Sequence, residues 1–203
     1  MANNCMTTYV LVCEDEKKLD RIYEAVKMCN QPEYKLAGND GTPYWTGNIF
    51  RELGLKYESD RSFWYDVSFD DGVLRIYEDA AWTRGSAMSQ LVEQMEDPED
   101  ADNDLVVYFY TEEPGCEIYE SNDDCHLYFT DEYVVDACNG EDYHQEYFDS
   151  FNCLLEDVNE FLGEELKFKT FDELETYLEA YNQNHRDDDA WVYIHEIDYS
   201  ATL

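Results

Sequence analysis

The chain has 203 residues, with 49 acidic side chains against 13 basic ones and a formal net charge of −36 at pH 7. That balance excludes the basic footprint on which direct binding to nucleic acid or to an anionic membrane depends. Its 18 Tyr, 10 Phe and 4 Trp, with 44% apolar residues, exclude the disordered class, whose acidic chains are poor in aromatics.

The length suits one large domain, or a core with an extension packed on it as one unit. No apolar run approaches the roughly 20 residues of a membrane helix, and the start Met1-Ala2-Asn3-Asn4 has no leader-like pattern. Seven Cys without a CxxC pair read as reduced thiols in a cytoplasmic protein, most of them small core fillers.

Taken in order, the β-branched run Thr7–Val12 predicts a first strand, and 14–29 a helix with Leu19, Ile22, Tyr23 and Val26 on one face. Residues 30–44, with two Pro and two Gly, read as a loop, and 45–53 as a short helix stopped by Gly54. Two strands, 62–69 and 73–79, flank the turn signal Asp70-Asp71-Gly72. Ser86 opens a second long helix whose buried face is Met88, Leu91, Val92 and Met95. An acidic linker, 96–104, leads to the apolar strand 105–110. The order β-α-β-β-α-β is that of a ferredoxin-like α+β core, expected over 1–121.

Beyond it, 117–120, 126–129 and 133–137 read as short strands extending the same sheet. A helix is expected over 145–162, ended by Gly163. A further helix opens at Thr170 with a capping box to Glu173. The run 191–199 closes the chain as a strand, so that 122–203 forms a C-terminal α/β extension.

Four segments carry a likeness: Asn3-Asn4-Cys5 before the first strand, Leu19-Asp20-Arg21 in the first helix, Ala81-Trp82-Thr83 after the third strand, and Glu113-Pro114-Gly115 after the fourth. In these the chain resembles the YubB-type ferredoxin-like family, small proteins often encoded by phages and plasmids, over about residues 1–121. It departs from that pattern in having Arg84-Gly85 where the family has a Pro pair. The resemblance implies the fold and a mobile-element origin; the family has no settled activity, so it implies no functional residue.

Chemistry-bearing patterns are sparse. Asp100, Asp102 and Asp104 begin like a calcium loop, but Leu105 and Thr111 stand where its Gly and Glu belong. Cys116 and the Cys125-His126 pair lack a second ligand pair at zinc spacing, and nothing marks a nucleophile elbow. His195 reads as a packed or interfacial histidine and Glu164-Glu165 as ordinary surface acids, while Gly38-Asn39-Asp40-Gly41 lacks the Lys of a phosphate loop. No cofactor and no metal are expected.

Charge distribution is the informative feature. Residues 85–166 hold 25 Asp or Glu and no Lys or Arg, whereas the first 84 residues hold 15 acids and 10 bases. An acidity serving solubility alone predicts an even spread. The expected function is therefore a non-enzymatic inhibitor that mimics nucleic acid and binds a basic protein. The expected contact carboxylates are Glu96, Glu99, Asp100, Asp102, Asp104, Glu112, Glu113, Glu117, Glu120, Asp123, Asp124, Glu146, Asp149, Glu156, Asp157 and Glu160. Asp149, Glu156 and Glu160 are expected in one helical row, with Tyr119, Tyr128, Tyr133 and Tyr147 as rigid contact area. The alternatives are an accessory interaction domain whose acidity serves solubility, and an enzyme with an unrecognised site.

Overall fold

A computed structural model describes residues 4–31, 44–58, 61–81, 85–96, 105–140, 142–186 and 189–203. The loop expected within 30–44, the Trp82 and Arg84 positions, and the linker carboxylates Glu99, Asp100, Asp102 and Asp104 fall mainly or wholly outside them. The chain forms two compact units, residues 1–128 with 199–203, and residues 129–198. The expected boundary after 121 thus falls inside the first unit, at the end of a strand.

The first unit is built on β1 (Asn4–Val12), which lies between β3 (Val73–Ala81) and β4 (Val106–Glu113). With β2 (Ser62–Asp70) and β5 (Ile118–Ser121) the sheet order is β2-β3-β1-β4-β5, every neighbouring pair antiparallel. It follows that β1 and β2 run parallel with β3 between them. The crossover from β1 carries α1 (Glu16–Cys29) and α2 (Thr46–Leu53); α3 (Ala87–Met95) joins β3 to β4.

One face of the sheet is apolar by strict alternation. Tyr9 and Leu11, Leu74 and Ile76, and Val107 and Phe109 point the same way. Leu19, Ile22 and Val26 of α1, Ile49 and Phe50 of α2, and Met88 and Leu91 of α3 close over them. The short local signals behave as their chemistry dictates. Gly54 caps α2 at φ 73°, a conformation that strains a residue with a Cβ, and Asp71 and Gly72 make the β2–β3 turn at φ 49° and 74°. Ser86 departs from a standard cap: its hydroxyl accepts from Gln90 Nε2 at 2.8 Å instead of from the backbone.

At one end of this face the alternation continues with polar residues. Glu78 is fully buried, and its two carboxyl oxygens accept from Tyr9 Oη (2.8 Å), Trp64 Nε1 (3.0 Å), the Gly85 amide (3.0 Å) and Ser62 Oγ. Beside it Thr7 and Thr111 share a hydrogen bond of 2.6 Å, and Cys5 Sγ lies 3.2 Å from Thr111 Oγ1.

The second unit has its own sheet, ordered β7-β6-β8, from β6 (Tyr133–Asn139), β7 (Tyr143–Phe148) and β8 (Ala190–Glu196). Two helices, α4 (Phe151–Leu162) and α5 (Phe171–Asn184), cover one face, where Val135, Ala137, Val192 and Ile194 meet Leu154, Val158, Leu174 and Leu178. Asn182 Nδ2 donates to the Val192 carbonyl and its Oδ1 accepts from the Val192 amide, both at 2.8 Å, tying α5 to the β8 edge.

Three expectations are corrected here. Residues 133–137 do not extend the first sheet; they form the centre of the second. Residues 126–129 are not a strand, because the Asp123 carboxylate accepts from the Tyr128 amide (2.6 Å) and the His126 amide donates to the Asp123 carbonyl (2.9 Å), folding the segment into a turn. The helix expected over 145–162 begins only at Phe151. Residues 143–148 instead pair along β6, and Ser150 takes extended backbone as the N-cap, accepting from Cys153 N at 3.5 Å.

Candidate interaction surface

The expected contact carboxylates separate into three groups. Glu96, Glu117, Asp124, Glu146, Asp149, Glu156 and Glu160 are exposed, and Glu112, Glu120 and Asp157 are half-buried. Glu113 (2% exposed) and Asp123 (0%) are inside the first unit and drop out of any contact surface. Glu113 continues the inward alternation of Phe109 and Thr111 on β4 and accepts from Cys116 Sγ at 3.3 Å; Asp123 shapes the turn described above. Tyr119 is likewise buried and offers no contact area, and Tyr128 packs on Tyr108 with ring centroids 5.0 Å apart.

The helical row is also corrected. Glu156 and Glu160 stand one turn apart on the exposed face of α4, but Asp149 precedes the Ser150 cap and Glu146 lies on β7. Asp157, between the two glutamates in sequence, is turned inward to His144 Nε2 at 2.8 Å, and the His144 ring stacks on Phe161. Around this core the acids crowd one another. Burial, followed by the Asp149 charge, holds the Asp131 carboxyl above the ordinary 3.8. Glu164 has found a donor: Tyr177 Oη lies 2.7 Å from its Oε2, and that hydrogen bond pushes the phenol up to about 12. Asp131 and the buried Asp136 are features of the second unit that the sequence reading did not single out, whereas Glu164 was read there as an ordinary surface acid.

Asp79 on β3 is held up by burial as Asp131 is. Both carry a folded pKa above the unfolded one, so in the window above 3.8 the folded chain binds protons that the unfolded chain has lost. Stability contributed by these groups is therefore gained as pH falls into that window. The thermal midpoint should rise as pH falls from 7 toward 3.8, and rise again with sodium chloride, since screening weakens like-charge repulsion. A midpoint flat in both variables would contradict a self-repelling fold.

Thiol chemistry is disfavoured at Cys5 and Cys125. The hydrogen bond to the Asp124 carboxylate pushes Cys125 up, and burial pushes Cys5 up; neither is a ready thiolate. His126 packs against Tyr199, ring centroids 4.2 Å apart. None of the seven cysteines is in a disulfide; Cys5 and Cys29 are buried but Cys116, Cys125 and Cys153 are exposed, so core filling accounts for a minority. Among the described residues no group of three His, Cys, Asp or Glu is placed to hold a metal ion, and no helix is long and apolar enough to cross a membrane.

No protein-family model matches the chain, and no curated protein or solved structure matches it.

Proposed function

We propose that this protein is a non-enzymatic inhibitor that occupies the nucleic-acid groove of a basic protein by presenting a nucleic-acid-like array of carboxylates. The observation that carries the reading is the exposed set Glu146, Asp149, Glu156 and Glu160 of the second unit, within an 82-residue stretch that contains no Lys or Arg. Such carboxylates stay hydrated and available, because no cation of their own tract neutralises them. B-DNA shows about one charge per 1.7 Å of axis. One helical turn separates Glu156 from Glu160, about 6 Å of rise, so α4 alone is sparser and the strand and loop acids must contribute.

The first unit reads as a ferredoxin-like core. Its support is the order β4-β1-β3-β2 with β1 and β2 parallel around β3; α2 and β5 are additions to that plan. Two of the segments that carry the likeness to the YubB-type family touch, since Asn4 pairs with Ala81. With a mobile-element origin, an anti-restriction or anti-CRISPR role in the cytoplasm is the concrete form of the proposal. Seven cysteines outside any disulfide accord with a reducing compartment.

A second reading, acidity for solubility in an accessory interaction domain, is favoured by α5, where Asp172, Glu173, Glu175 and Glu179 are exposed although they lie outside the base-free tract. Capture from host lysate on the immobilised protein separates the two. Mimicry predicts retained nucleic-acid-binding proteins that duplex DNA releases at a concentration where polyglutamate of equal charge does not. Equal release by both polymers would favour the solubility reading.

A further inference from the structure

The second sheet has one face under α4 and α5 and an opposite face that carries aromatics around a single carboxylate. Register sets them together. Asp136 at the centre of β6 lies opposite Tyr193 on β8, and Cys138 lies opposite both Tyr143 on β7 and Trp191 on β8. All of these alternate with Val135, Ala137, Val192 and Ile194, which pack under the helices. Tyr143 Oη donates to Asp136 Oδ1. The Trp191 ring lies 6.2 Å from that of Tyr143 and 5.4 Å from that of Tyr193. Tyr143 is 58% exposed and Tyr193 47%, while Asp136 beneath them is 7% exposed. The Trp191 ring touches both tyrosine rings, the two tyrosines are open to solvent, and a sheltered carboxylate lies beneath them.

Large exposed rings on a solvent-facing sheet cost free energy unless something covers them. The electrostatics select what. Asp142 and Asp189, both exposed, stand at the same end of the sheet, at the start of β7 and β8. A ring face is negative, and beside carboxylates it attracts a cation that stacks. A guanidinium does both: it is planar, loses its hydration more readily than an ammonium, lies flat on Trp or Tyr, and directs its edge at a carboxylate.

We propose that this face is where an arginine-bearing segment of the basic partner docks, its guanidinium stacked on Trp191 and Tyr193 and its edge turned toward Asp136. The inference rests on the reading that the partner is a basic protein, and it adds to that reading a chemical preference for Arg over Lys. Bulk charge has no such preference, so the two fail separately.

The test is calorimetric titration of the full chain with a nona-arginine and a nona-lysine peptide at one ionic strength. Trp191 stacking should give the arginine peptide at least about fivefold tighter binding. The double variant Trp191→Ser with Tyr193→Ser removes the two stacking rings, neither of them part of the core under the helices, and should bring the two affinities together. The double variant Glu156→Gln with Glu160→Gln should weaken both peptides alike and leave their ratio intact. Equal affinities in the parent protein, or a ratio that survives loss of Trp191 and Tyr193, would overturn the site while leaving charge mimicry standing. No binding of either peptide would overturn both.

Discussion

Replacing Glu78 with Ala should destabilise the first unit by about 3–5 kcal/mol, a large share of a domain's total stability. The side chain is fully buried and accepts from Tyr9, Ser62, Trp64 and Gly85. Removing it strands these donors away from water and leaves a cavity. Glu78→Gln is the sharper variant. Tyr9 and Ser62 hydroxyls can turn and accept from an amide, but the Trp64 Nε1–H and the Gly85 N–H are donors only, one on each carboxyl oxygen. Whichever way the amide is turned, its NH2 faces one of them. Gln should therefore cost about 1–3 kcal/mol despite matching Glu in shape. Gly85→Ala reaches the same network from outside, since a Cβ there would sit 2.7 Å from Glu78 Oε1. Urea unfolding followed by fluorescence reads all three, and a Gln variant as stable as the parent would show that the network does not hold the fold.

The second large effect is on binding. Changing Asp149, Glu156 and Glu160 together to Lys reverses three charges and should reduce partner affinity by about tenfold or more, with a smaller salt dependence. The same reversal at Glu14, Glu16 and Asp20, equally exposed but beside Lys17 and Lys18, should reduce it far less. The substitutions suit the fold: the three positions bear no buried contact, and a Lys at 160 near the end of α4 is favoured by the helix dipole. Circular dichroism checks that both variants fold. Equal losses would mean that only total charge matters.

Legibility in the sequence followed the range of the interaction. The Asp71-Gly72 turn, the Gly54 cap and the cap of α5 by Thr170, whose Oγ1 accepts from Glu173 N at 3.3 Å, rest on neighbours within four residues and could be read directly. The reciprocal half of that box differs in detail: Glu173 Oε2 accepts from Lys169 N, not from Thr170. Residues 145–150 were misread because Phe148, Phe151 and Leu155 match helical spacing, while pairing with β6 is a long-range fact. The local signal against the helix was Ser150 before Phe151, a cap in the middle of the supposed helix. The buried acids show the opposite case. Glu113 follows Val107, Phe109 and Thr111, and Glu78 follows Leu74 and Ile76, at period two, so the pattern marked both as inward; residue type argued for solvent, and pattern prevailed. The aromatic face around Asp136 was beyond the sequence, since it joins β7 to β8 across some 50 positions through pairing with β6.

The central claim is occupancy of a nucleic-acid groove, and competition measures it most directly. With a captured partner purified, its DNA affinity is titrated at several fixed concentrations of this protein. Mimicry predicts that the apparent Kd for DNA rises linearly with added protein while the signal at saturating DNA is unchanged. An unchanged DNA affinity, or a stable complex holding DNA and this protein together on the partner, would contradict it.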